Sequence, residues 1–165
     1  MNQQKIVPNL WFDTEAEEAA SFYVSVFKDG RILDVSRYTD AGPGPAGTAM
    51  AVQWEVAGQR FVGINGGPQF SFTEAVSFQI GCADQAEVDY FWDALTADGG
   101  EESQCGWLKD KYGVSWQVVP DGMAEVLGNP DPEAARRAVE AMFRMKKLDI
   151  AALRAAAAGD EVAVG

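Results

Sequence analysis

The chain contains no histidine. Histidine is the commonest protein ligand for catalytic metals and the commonest general base near neutral pH, so serine-histidine triads, cysteine-histidine dyads and histidine-built metal cages are excluded. Any chemistry has to run on carboxylates, lysine, tyrosine, a thiol or a bound cofactor. Cysteine is scarce: Cys82 and Cys105 alone cannot build a disulfide framework, and in a reducing compartment they are expected as free, packed thiols. Basic residues number 13 against 25 acidic ones, giving a net charge of -12 and a pI near 4.3. Such a surface repels nucleic-acid phosphates and anionic membranes, and no lysine or arginine stripe reverses this locally, so neither is expected as a partner. No apolar run approaches the roughly 18 residues of a membrane span, and the opening "MNQQKIVPNL" lacks an apolar core of signal-peptide length. A cytoplasmic protein is the expectation.

With 165 residues, 47% of them hydrophobic, the chain can build a real core. "KIVPNLWF", residues 5–12, reads as a strand. In the following segment Ala19, Phe22, Tyr23, Val26 and Phe27 share one helical face, Thr14 and Glu17 have capping-box spacing, and Gly30 is a stop signal. "RILDVSRYT" is a second strand and "AGPGPAG", 41–47, a loop whose prolines and glycines forbid both helix and ladder pairing. "TAMAVQWEVAG" and "QRFVGINGG" are strands meeting at a tight turn around Ala57 to Gln59. The order then restarts with the strand "AVSFQIGC" and a helix capped by Asp84 and Glu87, with Val88, Phe91, Trp92 and Leu95 on one face. Ala19, Phe22, Tyr23 and Gly30 recur 69 positions later as Val88, Phe91, Trp92 and Gly99, so the chain reads as two copies of one β-α-β-β-β unit. "EESQCGWLKD" and "GVSWQVVP", joined near Lys111 to Gly113, are the last strands of the second copy. Beyond them, Asp131 and Pro132 open a helix running through "EAARRAVEAMFRMKK", with Ala135, Ala138, Val139, Met142 and Phe143 on one side. That side covers either its own domain or a second subunit. Asp149 caps a last short helix, and the tail 160–165 is expected to be disordered.

The doubled module, with "FDTEAEEAASFY" opening its first helix and "DKYGVSWQV" at its last turn and strand, resembles the vicinal oxygen chelate superfamily, the glyoxalase and bleomycin-resistance fold. "GINGGP", "VSFQI" and "GGEESQCGWLKDKYGVSWQVVP", with the C-terminal helices, are similar to its branch labelled 3-demethylubiquinone-9 3-methyltransferase domain, which includes PhnB-like proteins. The resemblance implies an α+β fold of two βαβββ modules plus C-terminal helices. Residues 1–128 then form the glyoxalase-like domain, with modules over 5–67 and 75–120, and 129–165 a helical extension of it. It also implies a cavity, a homodimer and, in the metal enzymes, histidine or glutamine on first strands with glutamate on last strands. The matching slots here are Ser77, Gln117, Pro8 by the 69-residue offset, and Asn65. These carry no charged donor, so neither a metal nor another cofactor is expected.

Several residues weigh as candidates. Cys105 lacks an activating histidine, although Lys109, four positions on along a strand, would share its face. Trp116, alternating with Val114 and Val118, should pack under the helix, leaving Ser115, Gln117 and Val119 on the cavity side; Trp107 is read toward the cavity as well. "GINGGP" follows a strand and leads into another strand, whereas an S-adenosylmethionine loop needs glycines between strand and helix, so it reads as a connector. Glu55, Glu74, Glu101 and Glu102 show no diagnostic pairing. The expected function is metal-independent binding of a small, planar organic molecule in a cavity lined by Asn65, Ser77, Gln79, Cys105, Trp107 and Gln117. The alternatives are an enzyme on a quinone-like substrate with Lys109 or a glutamate as acid-base group, and an interaction module whose C-terminal helices bind a partner.

Overall fold

The structure, a computed structural model, describes residues 4–162. The chain divides into two compact units, one ending at Phe72 and the other beginning at Thr73. The first contains β1 (Asn9–Phe12), α1 (Ala16–Val26), β2 (Arg31–Arg37), β3 (Ala49–Val56) and β4 (Gln59–Asn65). Its sheet has the order β1-β4-β3-β2, with β1 parallel to β4 and the other pairs antiparallel. The second repeats this layout with β5 (Ser77–Cys82), α2 (Gln85–Thr96), β6 (Glu101–Glu102), β7 (Trp107–Lys109) and β8 (Ser115–Pro120) in the order β5-β8-β7-β6, β5 being parallel to β8. The helices α3 (Met123–Leu127), α4 (Pro132–Met142) and α5 (Ile150–Ala158) follow. Two four-stranded mixed sheets with helices make this an α+β fold.

Each sheet buries one face beneath its helix because apolar residues alternate along the strands. In the first unit Leu10, Phe12, Val52, Trp54, Val56 and Phe61 are buried with Tyr23 of α1, the Trp54 ring stacking between Tyr23 and Phe61 at 5.8 and 5.6 Å. In the second, Ile80, Cys82, Leu108, Trp116 and Val118 are buried together with Val88, Phe91, Trp92 and Leu95 of α2. The β3–β4 connection is a two-residue turn, Ala57 and Gly58, both with positive φ as such hairpins require.

The two helix starts differ. At α2 the capping box forms: Asp84 accepts from the Glu87 N–H at 2.9 Å and Glu87 from the Ala83 N–H at 2.7 Å. At α1 the box expected from Thr14 and Glu17 does not form. The helix begins at Ala16, whose N–H is taken by Asn65 Oδ1 at 2.8 Å, while Glu17 pairs with Arg37 at 2.8 Å. The 69-residue register also slips after the helices, because a one-turn 3-10 helix, Ala97–Gly99, extends the second copy. Gly30 donates to the Phe27 carbonyl three residues back, and Gly100, not Gly99, makes the equivalent bond to Ala97. The first strand is shorter than expected, starting at Asn9 after Pro8, which has no N–H to give a ladder.

The expected strand over "EESQCGWLKD" is interrupted. Cys105 and Gly106 have φ of 57° and 82° and form a tight turn closed by the Trp107 N–H to Gln104 carbonyl bond, leaving β6 and β7 as short arms. α4 ends at Met142, well short of Lys147, and buries Ala134, Ala138 and Ala141, whereas Phe143 is 66% exposed. The C-terminal helices cover their own unit: Leu148 packs against Gly106, where a Cβ would sit 2.8 Å away, and Gln85 of α2 bonds the Leu148 carbonyl and the Ile150 N–H. Asp131 and Asp149 cap α4 and α5 as expected. Of the tail, residues 163–165 lie outside the described residues.

Candidate functional site

The face of the second sheet opposite α2 is assembled by register. Ser77 on β5 lies opposite Ser115 on β8, and Ser115 opposite Lys109 on β7, which faces Glu101 on β6. In the adjacent row Gln79 lies opposite Gln117, and Gln117 opposite Trp107. Because side chains alternate along a strand, these residues point away from the face that buries Trp116, Val118 and Leu108. Trp107 therefore shares a face with Gln117 and is partly exposed. Gln117 Nε2 donates to Ser77 Oγ at 2.9 Å, tying the last strand of the module to its first.

The turn before β8 is rigidly built. Asp110, 2% exposed, accepts from the Tyr112 and Val114 N–H groups at 2.9 and 3.1 Å through Oδ1, and from Trp116 Nε1 at 2.9 Å through Oδ2. These bonds fix the start of β8 and with it the direction in which Ser115 and Gln117 project.

Four of the six residues read from the sequence, Ser77, Gln79, Trp107 and Gln117, thus share one face. Cys105 does not join them. Its turn geometry takes it off β7, its Sγ lies 3.6 Å from the Met142 carbonyl oxygen, and its N–H bonds the Met145 carbonyl. The shared strand face with Lys109 is therefore lost. Burial pushes the Cys105 thiol up, so it is a poor nucleophile. Asn65 belongs to the first unit and its amide is engaged at both ends, by the Ala16 N–H and by the Ala49 carbonyl at 3.0 Å.

Asn65 lines a different feature, a cleft of about 610 Å³ at the entry to α1, with Asp13, Thr14, Arg37, Tyr38 and the loop through Pro45. Tyr38 donates to the Asn65 carbonyl at 2.7 Å, and its ring lies against Gly44, where a Cβ would approach to 2.4 Å. Sequence periodicity gave no sign of this cleft, because it depends on a loop folding onto one ring. "GINGGP" is a connector as expected: Trp11 donates to the Gly67 carbonyl at 2.8 Å and packs so closely on Gly66 that a Cβ would lie 2.1 Å from its ring.

The acid-base candidates are occupied. Lys109 Nζ lies 3.1 Å from Glu74 and 3.5 Å from Glu101, and the Glu74 hydrogen bond raises its pKa above the usual lysine value. Glu102 accepts from Trp92 Nε1, which together with Lys146 holds its carboxyl below the usual range. Glu55 pairs with Arg31 at 2.6 Å and with Arg60 at 3.5 Å. For a divalent cation the available donors are a poor fit: Ser77 and Gln117 are neutral and bonded to each other, Asn65 is engaged in capping, and Pro8 has no side-chain donor. Among the described residues no three histidine, cysteine, aspartate or glutamate side chains gather as a metal cluster. No helix there is long and apolar enough to cross a membrane.

Comparison with known proteins gives the same architecture. No curated protein sequence matches the chain. The PhnB protein from Bacillus cereus is 36% identical, with a TM-score of 0.65 over 71% of this chain and 99% of that one. A Pseudomonas aeruginosa protein is 22% identical, with a TM-score of 0.60 over 72% of this chain and 98% of that one. The fosfomycin resistance protein FosX from Listeria monocytogenes, solved with Mn(II) and sulfate, shares the fold at 14% identity, with a TM-score of 0.53 over 78% of this chain and 98% of that one. The family model described as 3-demethylubiquinone-9 3-methyltransferase matches residues 4–119. The chain belongs to that family.

Proposed function

We propose that the protein binds a small, planar organic molecule without a metal, on the second-sheet face that carries Ser77, Gln79, Trp107 and Gln117. The carrying observation is the 2.9 Å bond from Gln117 to Ser77. At the positions where metal-dependent relatives would place ligands, this chain has neutral groups bonded to each other, and a neutral pair offers a divalent cation little to offset its lost hydration. Trp107 supplies a flat apolar surface and the amides and hydroxyls supply orientation, the usual composition of an organic-ligand site. A homodimer, as the superfamily resemblance implies, and a cytoplasmic location, in keeping with two free thiols, belong to the same reading.

An acid-base enzyme using Lys109 is the weaker reading. Its raised pKa keeps the ammonium protonated at neutral pH, where it cannot act as a base. The test is titration of the purified protein with 2-acetylnaphthalene, followed by tryptophan fluorescence, before and after exhaustive chelation. Saturable binding that survives chelation and is weakened by Trp107→Ala is the expected result. Stoichiometric metal in elemental analysis, or methyl transfer from S-adenosylmethionine to a demethylubiquinone-like phenol, would overturn the proposal. Size-exclusion chromatography with light scattering tests the dimer.

A further inference from the structure

Ser115 is 1% exposed, and its Oγ is the one buried side-chain polar atom among the described residues that has no hydrogen-bond partner. Buried hydroxyls are ordinarily satisfied, so an orphan needs a physical explanation. Its position supplies one. Ser115 lies between Ser77 on one neighbouring strand and Lys109 on the other, on the face that carries Gln117. Ser77 Oγ already accepts from Gln117, so its O–H is left to donate, and the Ser115 O–H has nothing to donate to. Partners across a sheet ladder sit about 4.8 Å apart, close enough for two hydroxyls to converge on one oxygen atom.

We propose that Ser115, with Ser77, is the specificity-determining pair of the site, and that the pair receives a neutral carbonyl oxygen of the ligand. An acceptor is required because both hydroxyls are free to donate. A neutral acceptor is favoured over an anion because Lys109, the one cation in the row, is flanked by Glu74 at 3.1 Å and Glu101 at 3.5 Å, leaving the row with excess negative charge. The Lys109–Glu74 pair links β7 to the segment entering β5, and β8, which carries Ser115, lies between those strands. Exposed pairs of this kind contribute little to stability, so this one opens readily when a ligand oxygen approaches.

The inference rests on the proposed ligand face, and the experiment separates the two. Three probes of matched shape are titrated: 2-acetylnaphthalene, 2-ethylnaphthalene, which lacks the oxygen, and the anion 2-naphthoate. The wild-type protein is expected to prefer the ketone over the hydrocarbon by about tenfold, the size of one to two hydrogen bonds, and over the carboxylate as well. Ser115→Ala should abolish the preference for the ketone while leaving 2-ethylnaphthalene affinity unchanged. Its ligand-free Tm should stay within about 2 °C of wild type or rise, since an orphan hydroxyl stabilises nothing. A preference that survives Ser115→Ala, tighter binding of 2-naphthoate, or a large fall in ligand-free Tm overturns the inference and leaves the ligand face standing. If neither naphthalene binds the wild-type protein, both fail together.

Discussion

Gln117 and Ser77 are joined by a 2.9 Å hydrogen bond between side chains 40 positions apart, across strands that run parallel. This bond ties β5 to β8, the first and last strands of the second module. Removing the acceptor by Ser77→Ala leaves a half-buried amide donor without its protein partner. A cost of about 1 kcal/mol in urea unfolding is expected, the usual net value of one such bond. Metal content should remain at background in this variant, since nothing charged has been introduced. Appearance of bound Mn²⁺ or Zn²⁺ in it would mean that the bond masks a competent site.

The β3–β4 turn gives a gain rather than a loss. Ala57 adopts φ of 48° and Gly58 of 73°, the pattern of a two-residue hairpin turn in which alanine is an uncomfortable first residue. Asparagine tolerates this conformation better, and the Ala57 N–H bond to Asp29 at 3.0 Å is kept because it is a backbone donor. Ala57→Asn should therefore stabilise the protein by about 0.5 to 1 kcal/mol, read as a higher urea midpoint with an unchanged slope.

The period-2 and period-3.6 patterns made the strands and helices legible because burial on one face imposes them. That is why Val88, Phe91, Trp92 and Leu95 were placed correctly on α2, and why Ser77, Gln79 and Gln117 came out on one face of their sheet. Cys105 was misplaced because a tight turn with two positive φ angles was read as continuous strand: only Gly106 hinted at it, and one glycine is a weak signal. The capping role of Asn65 was hidden in the sequence because it depends on Ala16, 49 positions away, which needs an acceptor that Thr14 does not supply. The orphan state of Ser115 was invisible for the same reason, since hydrogen-bond satisfaction is a tertiary property.

Asp110 anchors the turn that aims β8, and its two oxygens serve three donors, one of them the indole N–H of Trp116. Asp110→Ala strands buried donors and should cost about 3 kcal/mol. Asp110→Asn keeps an acceptor for the backbone but sets an amide N–H against the Trp116 N–H, so a smaller loss of about 1 to 2 kcal/mol is expected. In both variants the near-ultraviolet circular dichroism of tryptophan should weaken. Equal stability of the alanine variant and wild type would show that the turn is held by other means.

Burial, together with the nearby charges of Glu87 and Asp121, pushes the Cys82 thiol up to about 11 from an ordinary value of 9.0. Because its folded-state pKa is raised, the associated stability is fully present below about pH 9 and is lost as pH rises through about 11. In that window the unfolded chain ionises the thiol while the folded protein does not, so unfolding is favoured increasingly. Lysines and tyrosines titrate in the same range, so the comparison must be with Cys82→Ala. That variant loses buried packing at every pH but carries no thiol to ionise. The stability difference between wild type and variant should be largest near pH 7 and shrink steadily between pH 9 and 11. A difference that stays constant across this range would show that Cys82 ionises in the folded protein as readily as in the unfolded chain.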